Sequence, residues 1–357
     1  MSRRLFRTVS ATLLALLALE VALRMFVPRS ALLDRREECY WIARIHERSE
    51  SPEGEAAIRN VVRDPLLGWR MRPGYDEDGE RIDAHGVRSD REVPFERTEG
   101  TRRIVALGDS FTFGLGVANG LTWVDLLGGE LDGVETVNLG VNGFGTDQQV
   151  LQWERLGRRY APDLVLLGFF VPDFHRNALS VRELPKPRFR LREGALELEP
   201  GPLPDPRALV EARLAECGST LRALDLLSFL GRRLAAAEAD GPFEEKAALL
   251  RALLERLRDS TREHGARLAL VVLPDERFRA YADHERIEHA AEDAAAELGI
   301  PLLNLTEPLA AWPREHAAED VFDRVHGHWT EGGHALAAER IAAFVTAQEL
   351  LGTADGL

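Results

Sequence analysis

The sequence is poor in cysteine and carries no excess of positive charge. Only two cysteines, Cys39 and Cys217, occur in 357 residues, so cysteine alone supplies neither a zinc cluster nor a disulfide framework. One bridge is possible if the chain is exported, but the sequence does not show whether the two residues meet. The formal net charge of −14 argues against a nucleic-acid partner, since such a surface needs clustered positive charge. It indicates a solvated acidic exterior instead.

The N-terminal segment, residues 1–27, has the pattern of a membrane anchor or an export signal. Arg3 and Arg4 precede an apolar run, which continues around Glu20 and Arg24. A basic flank before an apolar run is typical of both kinds of segment. Because no clear small-residue cleavage site follows, we favour an uncleaved anchor. A cleaved signal and an amphipathic helix packed on the protein are the alternatives. The basic flank predicts that the remaining residues lie outside the cytoplasm.

The rest of the sequence predicts an irregular juxtamembrane region over 28–100 and one large domain over 101–350. In that domain, apolar runs typical of buried parallel strands alternate with helical patterns. Such alternation predicts a doubly wound α/β fold, a three-layer α/β/α sandwich around a five-stranded parallel sheet. A proline-rich stretch predicts an insertion at about 180–240, above the strand ends. The predicted strands are 103–107, 134–138, 163–169, 267–273 and 301–304, and the predicted helices are 121–131, 147–160, 244–264, 285–298 and 331–349.

A Gly-Asp-Ser turn at residues 108–110 follows the first predicted strand. A serine in this place, with a helix to follow, lies where an open α/β sheet presents its chemistry. The Ser110 hydroxyl and backbone N–H would then face the same crevice, so that one can attack while the other helps to hold an oxyanion. Gly, Asp and Ser are also ordinary turn and helix-cap residues. The turn therefore needs a catalytic partner elsewhere in the chain.

The best candidate for that partner is His328, in a glycine-punctuated loop before the last predicted helix. Asp323, His326 and His334 lie around it, and a His-x-His sequence near an aspartate can also ligate zinc. No second cluster completes such a site, so we expect neither a metal nor a cofactor. We interpret His326 and His334 as polar residues of the surface and of the helix start.

The order and spacing of these motifs resemble the SGNH (GDSL-type) hydrolase family. The resemblance rests on Gly-Asp-Ser at 108–110, on Asn-Leu-Gly-Val-Asn-Gly at 138–143 and on His-Trp at 328–329, ahead of two glycines. The segments 67–70 and 86–89 are similar to those of membrane-anchored bacterial members. The resemblance implies a flavodoxin-like sheet and a serine esterase or acyl-transfer enzyme. It covers residues from about 100 to 349.

The same resemblance implies a role for each site residue. Ser110 is the nucleophile and His328 the base that takes its proton. The backbone N–H groups of Ser110 and Gly143 form the oxyanion hole. Asp323 is the nearest candidate for the acid that orients His328.

This chain departs from the family pattern at the third motif. Members contribute an asparagine from the turn after the third strand, and here Pro172 stands in that place. Proline has neither a side-chain donor nor a backbone N–H, so one expected oxyanion donor is missing. Asn142 and Asn177 are the candidates to replace it.

A second departure concerns the acid. Members place an aspartate two or three residues before the histidine, whereas Asp323 lies five residues before His328. Asp323 can still reach the ring if the loop bulges, and Asp320 is a weaker option. A backbone carbonyl that orients His328 in a dyad is the alternative.

We therefore expect a serine esterase or acyl hydrolase that removes acetyl or short acyl groups from carbohydrate or lipid esters outside the cytoplasm. Its partners would be a small ester or O-acylated carbohydrate and, through the N-terminal helix, a membrane. Two alternatives stay open. One is an O-acyltransferase of an envelope polysaccharide pathway, and the other is a catalytically weakened binding protein with the same fold.

Overall fold

The structure, a computed structural model, describes most of the chain. Its residues group into two compact units. The sheet unit comprises Arg59–Ala178, Lys186–Gly201 and Pro242–Leu357, and the N-terminal unit comprises Met1–Ile58, Leu179–Pro185 and Pro202–Gly241. The described residues are 3–34, 37–50, 58–199, 201–219, 221–235, 243–275, 283–311, 321–323 and 327–352.

The strands of the described residues form a five-stranded parallel sheet and three antiparallel pairs. In chain order they are β1 (Val61–Asp64), β2 (Gly68–Met71), β3 (Asp76–Glu77), β4 (Glu80–Arg81), β5 (Arg102–Gly108), β6 (Val134–Gly140), β7 (Leu164–Phe170), β8 (Phe189–Arg192), β9 (Ala195–Leu198), β10 (Arg267–Leu273) and β11 (Leu302–Asn304).

The helices alternate with the strands of the parallel sheet. In chain order they are α1 (Arg3–Phe26), α2 (Glu38–Ser49), α3 (Ser110–Phe113), α4 (Trp123–Glu130), α5 (Thr146–Arg155), α6 (Asp173–Arg176), α7 (Pro206–Arg213), α8 (Arg222–Ala235), α9 (Phe243–Glu263), α10 (His284–Leu298), α11 (Thr306–Ala311) and α12 (Glu331–Ala347).

The parallel sheet has the strand order β11-β10-β7-β5-β6. Its strands coincide with the five predicted apolar runs to within about two residues at each end. A strand of a parallel sheet is buried on both faces, so it reads as a continuous apolar run rather than an alternating one. β7 is the clearest case, because all of its residues are buried.

Helices cover both faces of this sheet. Val105 and Leu107 of β5 pack on one side with residues of α5, α9 and α10. Ile104 and Ala106 pack on the opposite side with residues of α4 and α12. Successive side chains of a strand point to opposite faces, so β5 contributes to two separate apolar layers. The predicted three-layer α/β/α sandwich is confirmed.

The sheet unit also includes the segment before β5, which the sequence analysis treats as irregular. β1 and β2 form an antiparallel pair, and Trp69 of β2 is fully buried. Arg88 is buried as well, with its Nη1 donating to Gly114 O at 2.8 Å and its guanidinium over the Phe113 ring. The division of the chain at residues 27, 100 and about 180–240 stays a prediction.

The N-terminal unit contains α1, α2, α7 and α8. A disulfide joins Cys39 of α2 to Cys217, with 5.0 Å between the two Cα atoms. Glu38 accepts hydrogen bonds from the backbone N–H and the hydroxyl of Ser180, each at 2.6 Å. These bonds join segments that are far apart in sequence.

α1 contains one stretch, Arg7–Phe26, that is long and apolar enough to cross a membrane, by length and composition only. Its mean hydropathy is 1.9, and only 11% of the window is buried within the protein. The described residues include no other helix with these properties.

The disulfide generates the first prediction. The double variant Cys39→Ser, Cys217→Ser should lower the free energy of unfolding of the N-terminal unit by about 2–5 kcal/mol, because the bridge closes a long loop in the unfolded chain. Urea unfolding followed by circular dichroism measures this. Mass spectrometry of the unreduced wild type should show no alkylation after denaturation, and two alkylated thiols there would contradict the bridge.

Candidate active site

Ser110 lies at the sharp turn between β5 and α3. Asp109 is the N-cap of this short helix, and its carboxylate accepts a hydrogen bond from Phe111 N at 2.9 Å. A side chain at Gly108 would place its Cβ 2.0 Å from Thr112 Oγ1, so only glycine lets the chain turn back this closely. Ser110 is 8% exposed. Its hydroxyl is therefore held at the carboxyl end of a central strand, with limited access from solvent.

The structure brings His328 to Ser110. His328 Nε2 lies 2.9 Å from Ser110 Oγ, although the residues are 218 positions apart. The Phe111 ring stacks on the imidazole, with 4.8 Å between the ring centroids. Trp329 is buried and its indole N–H donates to Pro274 O at 2.9 Å, which fixes the chain beside His328. This separation is the one that a general base needs to accept a hydroxyl proton.

Asp323 lies beside His328 through the main chain. Its N–H donates to His328 O at 2.7 Å, and its carbonyl accepts from Gly327 N at 2.8 Å. The role of Asp323 as the acid stays a prediction, and Asp320 and His326 lie outside the described residues.

Gly143 lies in a tight turn directly after β6. Phe144 N donates to Val141 O at 3.1 Å, and Gly143 has a φ of 81°, a combination typical of a type II turn that requires glycine at this position. Val141 N donates to Gly108 O at 3.1 Å. This hydrogen bond holds the glycine turn beside the turn that carries Ser110.

Trp69 fixes the orientation of the peptide that contains the Gly143 N–H. Its indole N–H donates to Asn142 O at 2.9 Å, and its ring contacts Phe144 edge to face. In a trans peptide the C=O and the N–H point in opposite directions, so the Gly143 N–H points away from Trp69. Among the described residues, no hydrogen bond uses the N–H of Ser110 or of Gly143. Both donors are available to a ligand.

A family match covers the part of the chain that contains these groups. Residues 106–336 match the GDSL-like Lipase/Acylhydrolase family. The chain belongs to this family. It is thus an ester-hydrolysing serine hydrolase. No curated protein is significantly similar to it in sequence.

Several solved structures resemble this GDSL-like acylhydrolase at low sequence identity. A lipase/acylhydrolase from Enterococcus faecalis is 16% identical, with a TM-score of 0.43 over 70% of this chain and 97% of that chain. The acetyl xylan esterase AlAXEase is 13% identical, with a TM-score of 0.42 over 68% and 99%. The psychrotrophic esterase EstA from Pseudoalteromonas sp. is 12% identical, with a TM-score of 0.42 over 70% and 98%.

The third motif of this acylhydrolase forms a buried charge cluster that the sequence analysis missed. Pro172 is the N-cap of α6, and the cluster centres on Arg176 at the end of that helix. Arg176 Nη1 donates to Asp109 Oδ2 at 2.8 Å, to Asp173 Oδ1 at 2.7 Å and to Phe144 O at 3.0 Å. The two carboxylates raise the pKa of Arg176 above its ordinary value, so the cation is stable although it is buried. The only sequence signal is the Asp-x-x-Arg spacing on one helical turn.

The two asparagines proposed to replace the missing donor stay candidates, and the structure gives one contact of each. Asn177 Oδ1 accepts from Asp147 N at 3.2 Å, beside the start of α5. Asn142 offers its backbone carbonyl to Trp69. The structure shows no hydrogen bond from either side chain to Ser110.

His334 lies at the start of a helix, as expected, but it is buried, so its interpretation as a surface residue was wrong. It lies in the first turn of α12, where its Nδ1 accepts from Trp123 N at 3.2 Å. Burial lowers the pKa of His334 to about 3, and the nearby positive charge of Arg88 adds to this effect. His334 is a neutral structural acceptor. The described residues contain no group of three His, Cys, Asp or Glu that could hold a metal ion.

The second prediction concerns Trp69. The Trp69→Phe variant keeps most of the buried ring but loses the donor to Asn142 O, so the peptide before Gly143 is less well oriented. We expect kcat to fall about 3–10-fold, the size of one ordinary hydrogen bond, with KM nearly unchanged. Steady-state kinetics on a chromogenic ester measures both.

A matched control is the Trp153→Phe variant. Trp153 is also fully buried, and its indole N–H donates to Ser260 Oγ at 3.1 Å, away from the site. We expect Trp153→Phe to lose about as much stability as Trp69→Phe, because each loses one buried hydrogen bond, but to keep the kcat of the wild type. An equal fall of kcat in both variants would contradict the positioning role of Trp69.

The third prediction follows from the lowered pKa of His334. Below the unfolded pKa of 6.5 the unfolded chain binds a proton, whereas folded His334 stays neutral down to about pH 3. The unfolded state then binds more protons, so His334 lowers stability as the pH falls through this window. The His334→Asn variant retains an acceptor and does not titrate.

Wild type should therefore lose about 2 kcal/mol more than His334→Asn between roughly pH 6 and pH 4, as measured by urea unfolding at each pH. The exposed His289→Asn variant is the control and should follow wild type. Parallel stability curves for wild type and His334→Asn would contradict the burial of a neutral His334.

Proposed function

We propose that Ser110 and His328 form the catalytic pair of this acylhydrolase. The observation that carries the proposal is the 2.9 Å separation of Ser110 Oγ and His328 Nε2. Ser110 Oγ attacks the ester carbonyl as His328 Nε2 takes its proton, and the tetrahedral intermediate collapses to an acyl-serine. His328 returns the proton to the leaving alcohol. A water molecule then attacks the acyl-serine as His328 takes its proton, the bond to Ser110 Oγ breaks to release the carboxylic acid, and His328 returns the proton to Ser110 Oγ.

The negative charge of the tetrahedral intermediate would be held by the N–H groups of Ser110 and Gly143. The support is that both groups are available as donors, and that the hydrogen bond from Val141 N to Gly108 O holds the two turns side by side. Backbone N–H groups are already positioned before the negative charge develops on the carbonyl oxygen, so they stabilise the transition state more than the substrate. Pro172 supplies no third donor.

We assign the acid role to Asp323. Its backbone N–H donates to His328 O and its carbonyl accepts from Gly327 N, so the carboxylate belongs to the loop segment that holds the ring. Such a group orients the imidazole and stabilises its protonated form. The Asp323→Asn variant keeps the backbone bonds and removes the charge, so it separates the two contributions.

The substrate class that fits is an ester with an acetyl or short acyl group on a carbohydrate or lipid. Ser110 is only 8% exposed, and the Phe111 ring lies against Phe170 at 4.6 Å and against the His328 ring. This apolar wall beside the nucleophile suits a small acyl chain. A long chain would need more open space beside Ser110.

We place the enzyme outside the cytoplasm, anchored by α1. The support is the apolar stretch Arg7–Phe26, the arginines before it and the disulfide of Cys39 with Cys217. Disulfides persist in oxidising compartments and are rare in the cytosol. Basic residues before the apolar stretch favour an orientation with the N-terminus inside.

The fourth prediction tests the catalytic pair. The full-length protein in detergent should hydrolyse p-nitrophenyl acetate, and the Ser110→Ala and His328→Gln variants should each lose about 10⁴-fold or more in kcat/KM. The Ser49→Ala variant, on α2, is the matched control and should keep full activity. A Ser110→Ala variant that retains the wild-type rate would contradict the assignment.

Labelling with a fluorophosphonate separates hydrolysis from acyl transfer. The probe phosphonylates an activated serine with loss of fluoride, so it reports Ser110 without turnover. Labelling at Ser110 together with slow hydrolysis would favour an O-acyltransferase, which passes the acyl group to a sugar hydroxyl rather than to water. The absence of a donor at Pro172 weakens the oxyanion hole for hydrolysis and for acyl transfer alike, so it favours the catalytically weakened binding protein. No labelling and no turnover would favour a binding protein.

A further inference from the structure

The exposed large apolar side chains of the described residues are concentrated in the N-terminal unit. Two of them, Leu66 and Leu198, belong to the sheet unit, and all the others lie on α1, on α8 or directly before α8. Soluble surfaces carry such side chains singly, whereas a contiguous group marks an interaction site. α1 accounts for part of the group through the proposed membrane span. α8 needs an explanation of its own.

The exposed face of α8 has the opposite character to that of an ordinary surface helix. Leu224, Leu227 and Leu230 are 48%, 64% and 45% exposed, whereas Asp225 is buried. The Asp225 carboxylate accepts from the N–H and the hydroxyl of Ser219, at 2.7 and 2.8 Å. A surface helix in water turns its apolar stripe inward and its charges outward. α8 does the reverse.

A carboxylate of α1 fixes where α8 begins. Glu20 accepts hydrogen bonds from the backbone N–H groups of Arg222 and Ala223, the first two residues of α8, at 3.0 Å each. These are donors that a helix N-terminus leaves unsatisfied, and a negative charge there is favourable. Arg24 Nε completes the cluster with a 2.6 Å bond to Glu20 Oε1. Both carboxylate oxygens of Glu20 therefore accept hydrogen bonds, although Glu20 lies within an apolar helix.

The level of Glu20 matches the depth of an interfacial helix. Glu20 is six residues before Phe26, the end of the apolar stretch, which corresponds to about 9 Å along a helix. Amphipathic helices bury their apolar face about 5–10 Å into the boundary between headgroups and acyl chains.

We propose that α8 lies in the interfacial layer of the same bilayer that α1 spans, with Leu224, Leu227 and Leu230 among the acyl chains. The proposal rests on the proposed membrane anchor. The occupant is lipid rather than protein, because Glu20 of the proposed membrane span accepts from the first two N–H groups of α8, and the exposed side chains of α1 are apolar as well. The N-terminal unit is then attached to the membrane by two elements, one spanning and one lying flat.

The fifth prediction is tested with an environment-sensitive fluorophore at single positions. The Leu227→Cys variant carries NBD on α8, and the Leu14→Cys variant carries it on α1. The Leu66→Cys variant carries it on the sheet unit, as the matched control for an exposed leucine. The two native cysteines are joined to each other, so labelling is specific. Each full-length protein is reconstituted in vesicles of phosphatidylethanolamine and phosphatidylglycerol.

Spin-labelled lipid should quench the fluorophore at positions 14 and 227, and aqueous iodide should quench it only at position 66. Iodide quenching at position 227 with lipid quenching at position 14 would overturn the α8 proposal and leave the anchor intact. Protection of position 227 from both quenchers would also overturn it, in favour of a covering protein. Iodide quenching at position 14 would overturn the anchor itself.

Discussion

One buried cation holds the turns of the active site together. Arg176 Nη1 bonds Asp109, which precedes the nucleophile, and Phe144 O, which follows the glycine turn. The same atom bonds Asp173, after β7. A buried charge is tolerated only when its partners are well placed, so the position of Arg176 constrains the ends of three adjacent strands at once. Truncating it would leave two buried carboxylates without their cation. The geometry of Ser110 and Gly143 therefore depends on a residue that acts through their chain neighbours, Asp109 and Phe144.

The sequence was sufficient to predict the sheet and to single out Ser110 and His328, which the structure places 2.9 Å apart. Buried parallel strands leave continuous apolar runs, and the turn that contains Ser110 follows the carboxyl end of one of them. It was insufficient for the Arg176 cluster and for the burial of His334. Both depend on how short segments from distant parts of the chain meet. No local pattern distinguishes a buried arginine or histidine from an exposed one.

Pro172 shows how the site tolerates the loss of a family side chain. The turn after β7 does not collapse, because Pro172 starts the short helix α6 and places Asp173 and Arg176 on one turn. The charges of Asp109, Asp173 and Arg176 then stabilise this turn through buried hydrogen bonds.

The disulfide also has a topological consequence. The disulfide closes residues 39–217 into a covalent ring. In sequence, Ser110 and Gly143 belong to this ring, whereas His328 follows it. A protease that cuts the backbone once within this ring produces two fragments that the disulfide still joins. The helix α1 on one fragment therefore stays tethered to the histidine on the other. In an oxidising compartment, release of the enzyme from its N-terminal helix by one cut is possible only outside residues 39–217.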